Sequence, residues 1–276
     1  MGTTETRGSA DATPKAPVVP GILEWAAASD VGKHRDCNED AWVACRLETG
    51  TPVLSPRETW PATGALFALS DGMGGARAGE VASRSCVDNL ARRLAPPASS
   101  DDLSAAFLAV HAELVEAGRG NRQWTGMGAT LSACVVGADH SVRFAHVGDS
   151  RIYHRSAGTW RQITEDHNLG EGLVRRGQMT AAAASRFRYR SLLEQVMGGD
   201  GRPIEPQVGS FAFAEGDAIA LCCDGLYRPL EADLEARLDR AVFSADLAAG
   251  AQGLVDAANA AGGPDNITVI LVRRTT

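Results

Sequence analysis

The chain has 276 residues, 44% of them hydrophobic and 22% charged, with a formal net charge of −7. That length supports a domain with a full core. The negative balance, and the absence of any arginine–lysine block interleaved with aromatics, argue against nucleic acid as a partner. No run of about 18 apolar residues occurs, so no membrane span is expected.

Residues 1–21 are small, polar and punctuated by Pro14, Pro17 and Pro20. Such a stretch buries too little to offset its ordering entropy and is expected to be a disordered tail. It lacks the charged start and apolar stretch of a signal peptide. The six cysteines (37, 45, 86, 134, 222 and 223) show no C-x-x-C spacing and mostly sit in apolar runs. Free buried thiols of this kind fit a reducing, cytoplasmic setting.

From Trp25 onward the texture is α/β, and residues 22–276 are expected to form the folded domain. Residues 65–70 are a short apolar strand ending in Asp71-Gly72, and 80–94 repeat apolar residues every fourth position as a helix does. A second helix is expected from about residue 101, burying Leu103, Phe107, Val110 and Leu114. Strands follow at 130–136, 142–147, 151–155 and 160–164, joined by short turns. Residues 168–200 are polar, rich in Ala and Arg, and weakly patterned, which suggests a surface flap. Strands resume at 208–213 and 218–223, a helix is expected at 247–260, and 267–272 closes the chain as a buried strand. Hairpin-length connections with helices in pairs favour antiparallel sheets covered by helices over a parallel βαβ sheet.

Aspartates stand at the ends of these apolar runs: Asp71 after ALFALS, Asp149 after RFAHVG, Asp224 after AIALCC and Asp265 before NITVILV. Asn38-Glu39-Asp40 adds an acidic group before Ala41. One Asp-Gly after a strand is an ordinary turn former, as Asp217 in Glu215-Gly216-Asp217 is expected to be. Several carboxylates converging on one sheet edge repel one another unless a cation neutralises them. An all-oxygen ligand set favours Mg²⁺ or Mn²⁺ over zinc.

Read with their neighbours, these residues resemble the type 2C metal-dependent serine/threonine protein phosphatases of the bacterial type. The matching stretches are SDVGKHRDCNEDAW (29–42), LSDGMGGARAGEVAS (69–83), TGMGATL (125–131), AHVGDSRIY (145–153), ITEDHNL (163–169), LCCDGL (221–226) and GGPDNITVILV (262–272). They follow the family's order and cover nearly everything after the tail. The resemblance implies a four-layer αββα sandwich of two mainly antiparallel β-sheets flanked by helices. It implies hydrolysis of phosphoserine and phosphothreonine in proteins, opposing a serine/threonine kinase. It also implies two Mn²⁺ or Mg²⁺ ions and a third, weaker site.

By the same resemblance, Asp71 bridges the two metals and the Gly72 carbonyl is a further ligand. Asp224 and Asp265 match ligands of the first metal. Glu39 and Asp40 match the acidic pair that approaches the second, mostly through water, and Asp149 matches the holder of the third. Arg35 matches the arginine that grips the substrate phosphate, a task its planar guanidinium suits better than an ammonium. Two cations about 4 Å apart lower the pKa of a water held between them and offset charge on the phosphoryl oxygens.

Two departures stand out. Met73 occupies the place of a histidine that serves many eukaryotic relatives as general acid, leaving that task to water. Residues 186–199 follow the family's flap only loosely. A metal-free regulatory module on the same fold is disfavoured because Asp71, Asp224 and Asp265 are all present; a metal-dependent nuclease is disfavoured because no basic groove is indicated. His146 and His167 are expected to be structural, and Gly126, Gly128 and Asn266 to serve turns and packing.

Overall fold

The computed structural model describes residues 22–49, 52–53, 57–61, 64–74, 78–95 and 102–275; the tail expected at 1–21 lies outside the described residues. In chain order the elements are β1 (Ile22–Asp30), β2 (Asp40–Arg46), β3 (Pro52–Val53), β4 (Arg57–Pro61), β5 (Ala65–Met73), α1 (Ala78–Leu94), α2 (Leu103–Gly120), β6 (Gly128–Ala129), β7 (Leu131–Val136), β8 (Ser141–Val147), β9 (Arg151–Ser156) and β10 (Thr159–Gln162). There follow α3 (Leu169–Arg175), α4 (Ala181–Ala184), β11 (Met197–Gly198), β12 (Gln207–Ala212), β13 (Ala218–Cys222), α5 (Asp224–Leu230), α6 (Leu234–Val242), α7 (Leu247–Ala260) and β14 (Ile267–Thr275).

The strands form a 6-stranded sheet in the order β10-β9-β13-β14-β1-β4 and an 8-stranded sheet built on the path β11-β6-β5-β7-β8-β12, with β2 and β3 joined to it through β5. Every ladder is antiparallel. Alternation along each strand assigns the layers, because successive side chains of a strand face opposite ways. In β5, Leu66 and Ala68 pack with Leu90 and Phe107 of α1 and α2, while Ala65, Phe67 and Leu69 face the other sheet. In β14, Val269 and Leu271 pack with Leu254 and Val255 of α7, while Ile270 and Val272 face inward. The result is the expected αββα sandwich.

The layer between the sheets holds Trp25 and Trp60, the two largest fully buried side chains. Trp25 lies 5.2 Å from Trp60, and Trp60 stacks on Phe67 at 5.7 Å between ring centroids. Truncating Trp25, which is 1% exposed, removes contacts worth about 3–5 kcal/mol.

The expected helices at 80–94 and 247–260 are present, and the second helix starts at Leu103 with Asp102 as its cap: its carboxylate accepts from Ala105 N at 3.0 Å. Residues 168–200 hold more structure than their pattern suggests. Asn168 caps α3 by accepting from Glu171 N, and Thr180 caps α4 by accepting from Ala183 N. These caps were visible signals. The helices α5 and α6 were not foreseen either; α5 is short and carries Pro229, so it offers little periodicity to read.

Candidate functional site

The first correction to the sequence reading concerns Asp71, which is within a strand and not after it. Gly72 pairs with Ala129 and Met73 with Gly128, so the β5 ladder runs on past the aspartate. Asp71 therefore continues the inward series Ala65, Phe67, Leu69 and faces one open end of the layer between the sheets. In β2 the same alternation carries Trp42 and Ala44 inward and puts Asp40 on that face.

Asp40 and Asp71 are direct partners across the β2–β5 ladder. Side chains so placed have Cβ atoms about 4.5–5.5 Å apart, and like charges there repel. Desolvation, then repulsion from Asp40, Asp224, Asp149 and Asp265, holds the Asp71 carboxyl well above the usual range. Desolvation likewise pushes Asp40 up to about 7, partly offset by the hydroxyl of Thr268, which donates to Asp40 Oδ2 at 2.6 Å. Asp40 Oδ1 is buried and accepts no N–H or O–H among the described residues, the Cys223 thiol being the further weak donor beside this carboxyl.

The remaining acids reach the same edge from three other elements. Asp149 lies in the turn between β8 and β9, Asp224 opens α5 after β13, and Asp265 precedes β14. Desolvation and the neighbouring Asp224 push Asp149 up to about 7; desolvation raises Asp224 as well, against relief from Arg228. Glu39 is raised mainly by desolvation. Arg35 Nη2 donates to Asp265 Oδ2 at 2.8 Å, and its Nη1 lies 3.9 Å from Glu39 Oε2. Arg228 Nη2 lies 2.9 Å from Asp149 Oδ2 and 3.1 Å from Asp224 Oδ2. These guanidiniums engage the outer carboxylates, and among the described residues no three His, Cys, Asp or Glu side chains are gathered so as to hold a metal ion as they stand.

The edge is fixed by neutral hydrogen bonds. Thr130 Oγ1 accepts from Asp71 N at 2.9 Å, and Thr130 N donates to Asp71 O at 2.8 Å. Asn266 ties the loop that bears Arg35 to the start of β14: its Oδ1 accepts from Glu39 N, and its Nδ2 donates to the carbonyls of Val31 and Cys37. Gly72 has no room for a side chain, since a Cβ there would lie 2.1 Å from Gly79 O and 2.6 Å from Glu39 O. At Gly148, φ is +113° and a Cβ would lie 2.6 Å from Thr130 Cβ, which reserves the turn before Asp149 for glycine.

Both histidines are structural, as expected. His146 is buried between the hydroxyl of Ser132 and the carbonyl of Gly148, and burial pushes its pKa down to about 3. His167 Nδ1 accepts from Gly148 N at 3.2 Å, while the backbone N–H of His167 donates to Gly148 O at 2.7 Å. Asp217 is the expected turn former, accepting from Ala214 N at 2.9 Å. Arg228 is the residue that sequence reasoning missed; its spacing of four from Asp224 along a helix was the available signal.

The sequence model of the family described as Protein phosphatase 2C matches residues 58–257. The serine/threonine phosphatase stp of Listeria innocua is 34% identical over 254 residues, covering 89% of this chain and 94% of that protein. The serine/threonine protein phosphatase PstP of Mycobacterium tuberculosis is 33% identical over 253 residues, covering 91% of this chain but 45% of that protein, so the chain spans under half of its length. Among solved structures, the S. agalactiae serine/threonine phosphatase superposes with a TM-score of 0.77 at 30% identity, covering 91% of this chain and 99% of that one. The catalytic domain of PstP in complex with 2 manganese ions superposes with a TM-score of 0.72 at 30% identity, covering 93% and 100%.

Proposed function

Since the chain belongs to the protein phosphatase 2C family, we propose that it removes phosphate from phosphoserine and phosphothreonine in proteins, using two Mn²⁺ or Mg²⁺ ions. The observation that carries this reading is the Asp40–Asp71 pair: two carboxylates directly opposed on one ladder, with Asp40 Oδ1 buried and accepting no N–H or O–H among the described residues. A structure that accepts this repulsion is arranged for a cation. The donor set is all oxygen, which suits hard divalent ions.

Asp71, with the Gly72 carbonyl, Asp224 and Asp265 would hold the ions, and Glu39 and Asp40 would approach the second through water. When bound, the cations supply Lewis acidity, acidifying water and offsetting the charge that builds on the phosphoryl oxygens. The other roles belong to the chain itself. Arg35 is half-exposed on its loop and held by Asp265 and Glu39. Once Asp265 is engaged elsewhere, its planar fork is free to bond two phosphoryl oxygens of the substrate. Met73 is exposed beside Asp71 and has no proton to give, so protonation of the leaving alkoxide falls to solvent.

Residues 168–200 form the flap, whose exposed Arg186, Arg188 and Arg190 would meet acidic groups flanking a phosphosite. The partners are phosphorylated proteins and a serine/threonine kinase whose action is reversed. Among the described residues no helix is long and apolar enough to cross a membrane. The free, buried Cys45, Cys86, Cys134, Cys222 and Cys223 suit a cytoplasmic setting. Hydrolysis of a phosphothreonine peptide should require Mn²⁺ or Mg²⁺ and cease in EDTA; full turnover in chelator overturns the reading.

A further inference from the structure

We propose that Arg228 is a built-in cation that takes the place of a third metal ion between Asp149 and Asp224. The inference rests on the two-metal reading above and goes beyond it, because it removes Asp149 from the ligand set.

The geometry is specific. One guanidinium nitrogen, Nη2, lies 2.9 Å from Asp149 Oδ2 and 3.1 Å from Asp224 Oδ2, so a single positive group spans both carboxylates. Asp149 is 7% exposed at its side chain, and a charge so enclosed needs a partner within reach. The helix α5 supplies that partner rigidly. Arg228 stands four residues after Asp224, one helical turn on, while the preceding residue, Tyr227, donates its hydroxyl to Asp149 O at 3.1 Å. Two consecutive residues of one helix thus fix both the backbone and the carboxylate of Asp149. Arg35 differs on each count: it sits on a loop, is 46% exposed at its side chain, and is therefore placed to leave its carboxylate for a substrate.

Charge balance agrees. Glu39, Asp40, Asp71, Asp149, Asp224 and Asp265 bring six negative charges to this edge, and Arg35 and Arg228 bring two positive ones. The four charges left over are what two divalent cations neutralise. A third divalent ion would leave the edge positive, with Arg228 held against it in a site of low dielectric, where like charges repel more strongly than in water. The rest of the Arg228 side chain borders a cavity of about 250 Å³ whose charged lining mixes Arg151 and Arg190 with Asp166, Glu171 and Glu231.

The test counts Mn²⁺ ions bound by the full chain at equilibrium, by calorimetry and by the electron paramagnetic resonance signal of free Mn²⁺. Wild type and Arg228→Lys, which keeps a cation at this position, should each bind two. Asp149→Asn should also bind two, whereas Arg228→Gln should bind a third, weaker ion that is lost again in Arg228→Gln/Asp149→Asn. A third ion in wild type that disappears in Asp149→Asn, or a count that stays at two in Arg228→Gln, overturns the proposal. If Arg228→Gln does not fold, a Mn²⁺-bound structure of wild type decides: Arg228 still on Asp149 supports the proposal, and an ion there in its place overturns it. Wild type that binds no Mn²⁺ at all would instead overturn the two-metal reading beneath it.

Discussion

Asp166 and Asp71 are both acids of the sandwich, yet their surroundings are opposite. Asp166 is 3% exposed and fully answered: Arg151 donates to both its oxygens, at 3.0 and 2.9 Å, with further bonds from Gln162 and Asn168. Arg151 in turn lies 3.7 Å above the ring of Tyr227. Asp71 faces Asp40 across the ladder and feels Asp224, Asp149 and Asp265 as well. A buried carboxylate with matched partners holds a fold together, whereas one surrounded by its own kind marks a place where an external cation belongs. Residue type is shared and Asp71 is half-buried where Asp166 is buried, so the partners, more than burial, separate the answered acid from the crowded one.

The strongest challenge to this contrast is Asp71→Asn. Its turnover of phosphopeptide should fall by at least roughly 10²–10³-fold, the scale for losing a key electrostatic group. The metal-free variant should melt no lower than wild type, because a repelling charge has gone. A clearly lowered melting temperature would show that Asp71 is a structural acid after all. Asp166→Asn should behave in the reverse sense, losing about 3–5 kcal/mol of stability by leaving Arg151 unpaired. Denaturant unfolding of both variants side by side puts the comparison to the test.

Arg35→Ala sharpens the contrast between the two arginines of the edge. It should weaken phosphopeptide and free-phosphate binding by about 1.5–3 kcal/mol, the range for hydrogen bonds to charged groups. Unchanged KM and unchanged phosphate inhibition would exclude Arg35 from the substrate site. His146 extends the structural side of the comparison. Its pKa is lowered by burial to about 3 from a usual 6.5, so the unfolded chain takes up a proton that the fold refuses. Stability from this group is therefore present above pH 6.5 and lost as pH falls toward 3, reaching a loss of about 2 kcal/mol by pH 5. Melting curves of wild type and His146→Gln should converge on acidification; parallel curves would contradict the assignment.

The smallest effect is expected at the flap. Neutralising Arg186, Arg188 and Arg190 together should lower kcat/KM on phosphoproteins several-fold at low salt, since each exposed charge contributes about 0.2–1 kcal/mol. Turnover of p-nitrophenyl phosphate should stay within about twofold. Equal losses on both substrates would mean that the segment supports the catalytic edge and does not read proteins.

Much of this molecule was legible in its sequence because the signals are local. Apolar runs that begin or end at an aspartate mark strands that deliver carboxylates to one edge, and a four-residue repeat marks α1. The resemblance ordered those pieces into a sandwich, and the ladders and layers agree with it. The helices that were missed, α3 to α6, are short or interrupted by proline, so their helicity depends on caps such as Asn168 and Thr180 and on tertiary support. Tertiary structure alone decided which acids are answered and which are crowded. Asp40 and Asp71 are 31 positions apart in the chain yet directly opposed, because β2 pairs with β5. Asp149 and Asp224 share Arg228 because α5 lies against the turn after β8. Sequence specifies the charges each segment carries, but electrostatic energy depends on distances between segments, and only the packed fold sets those.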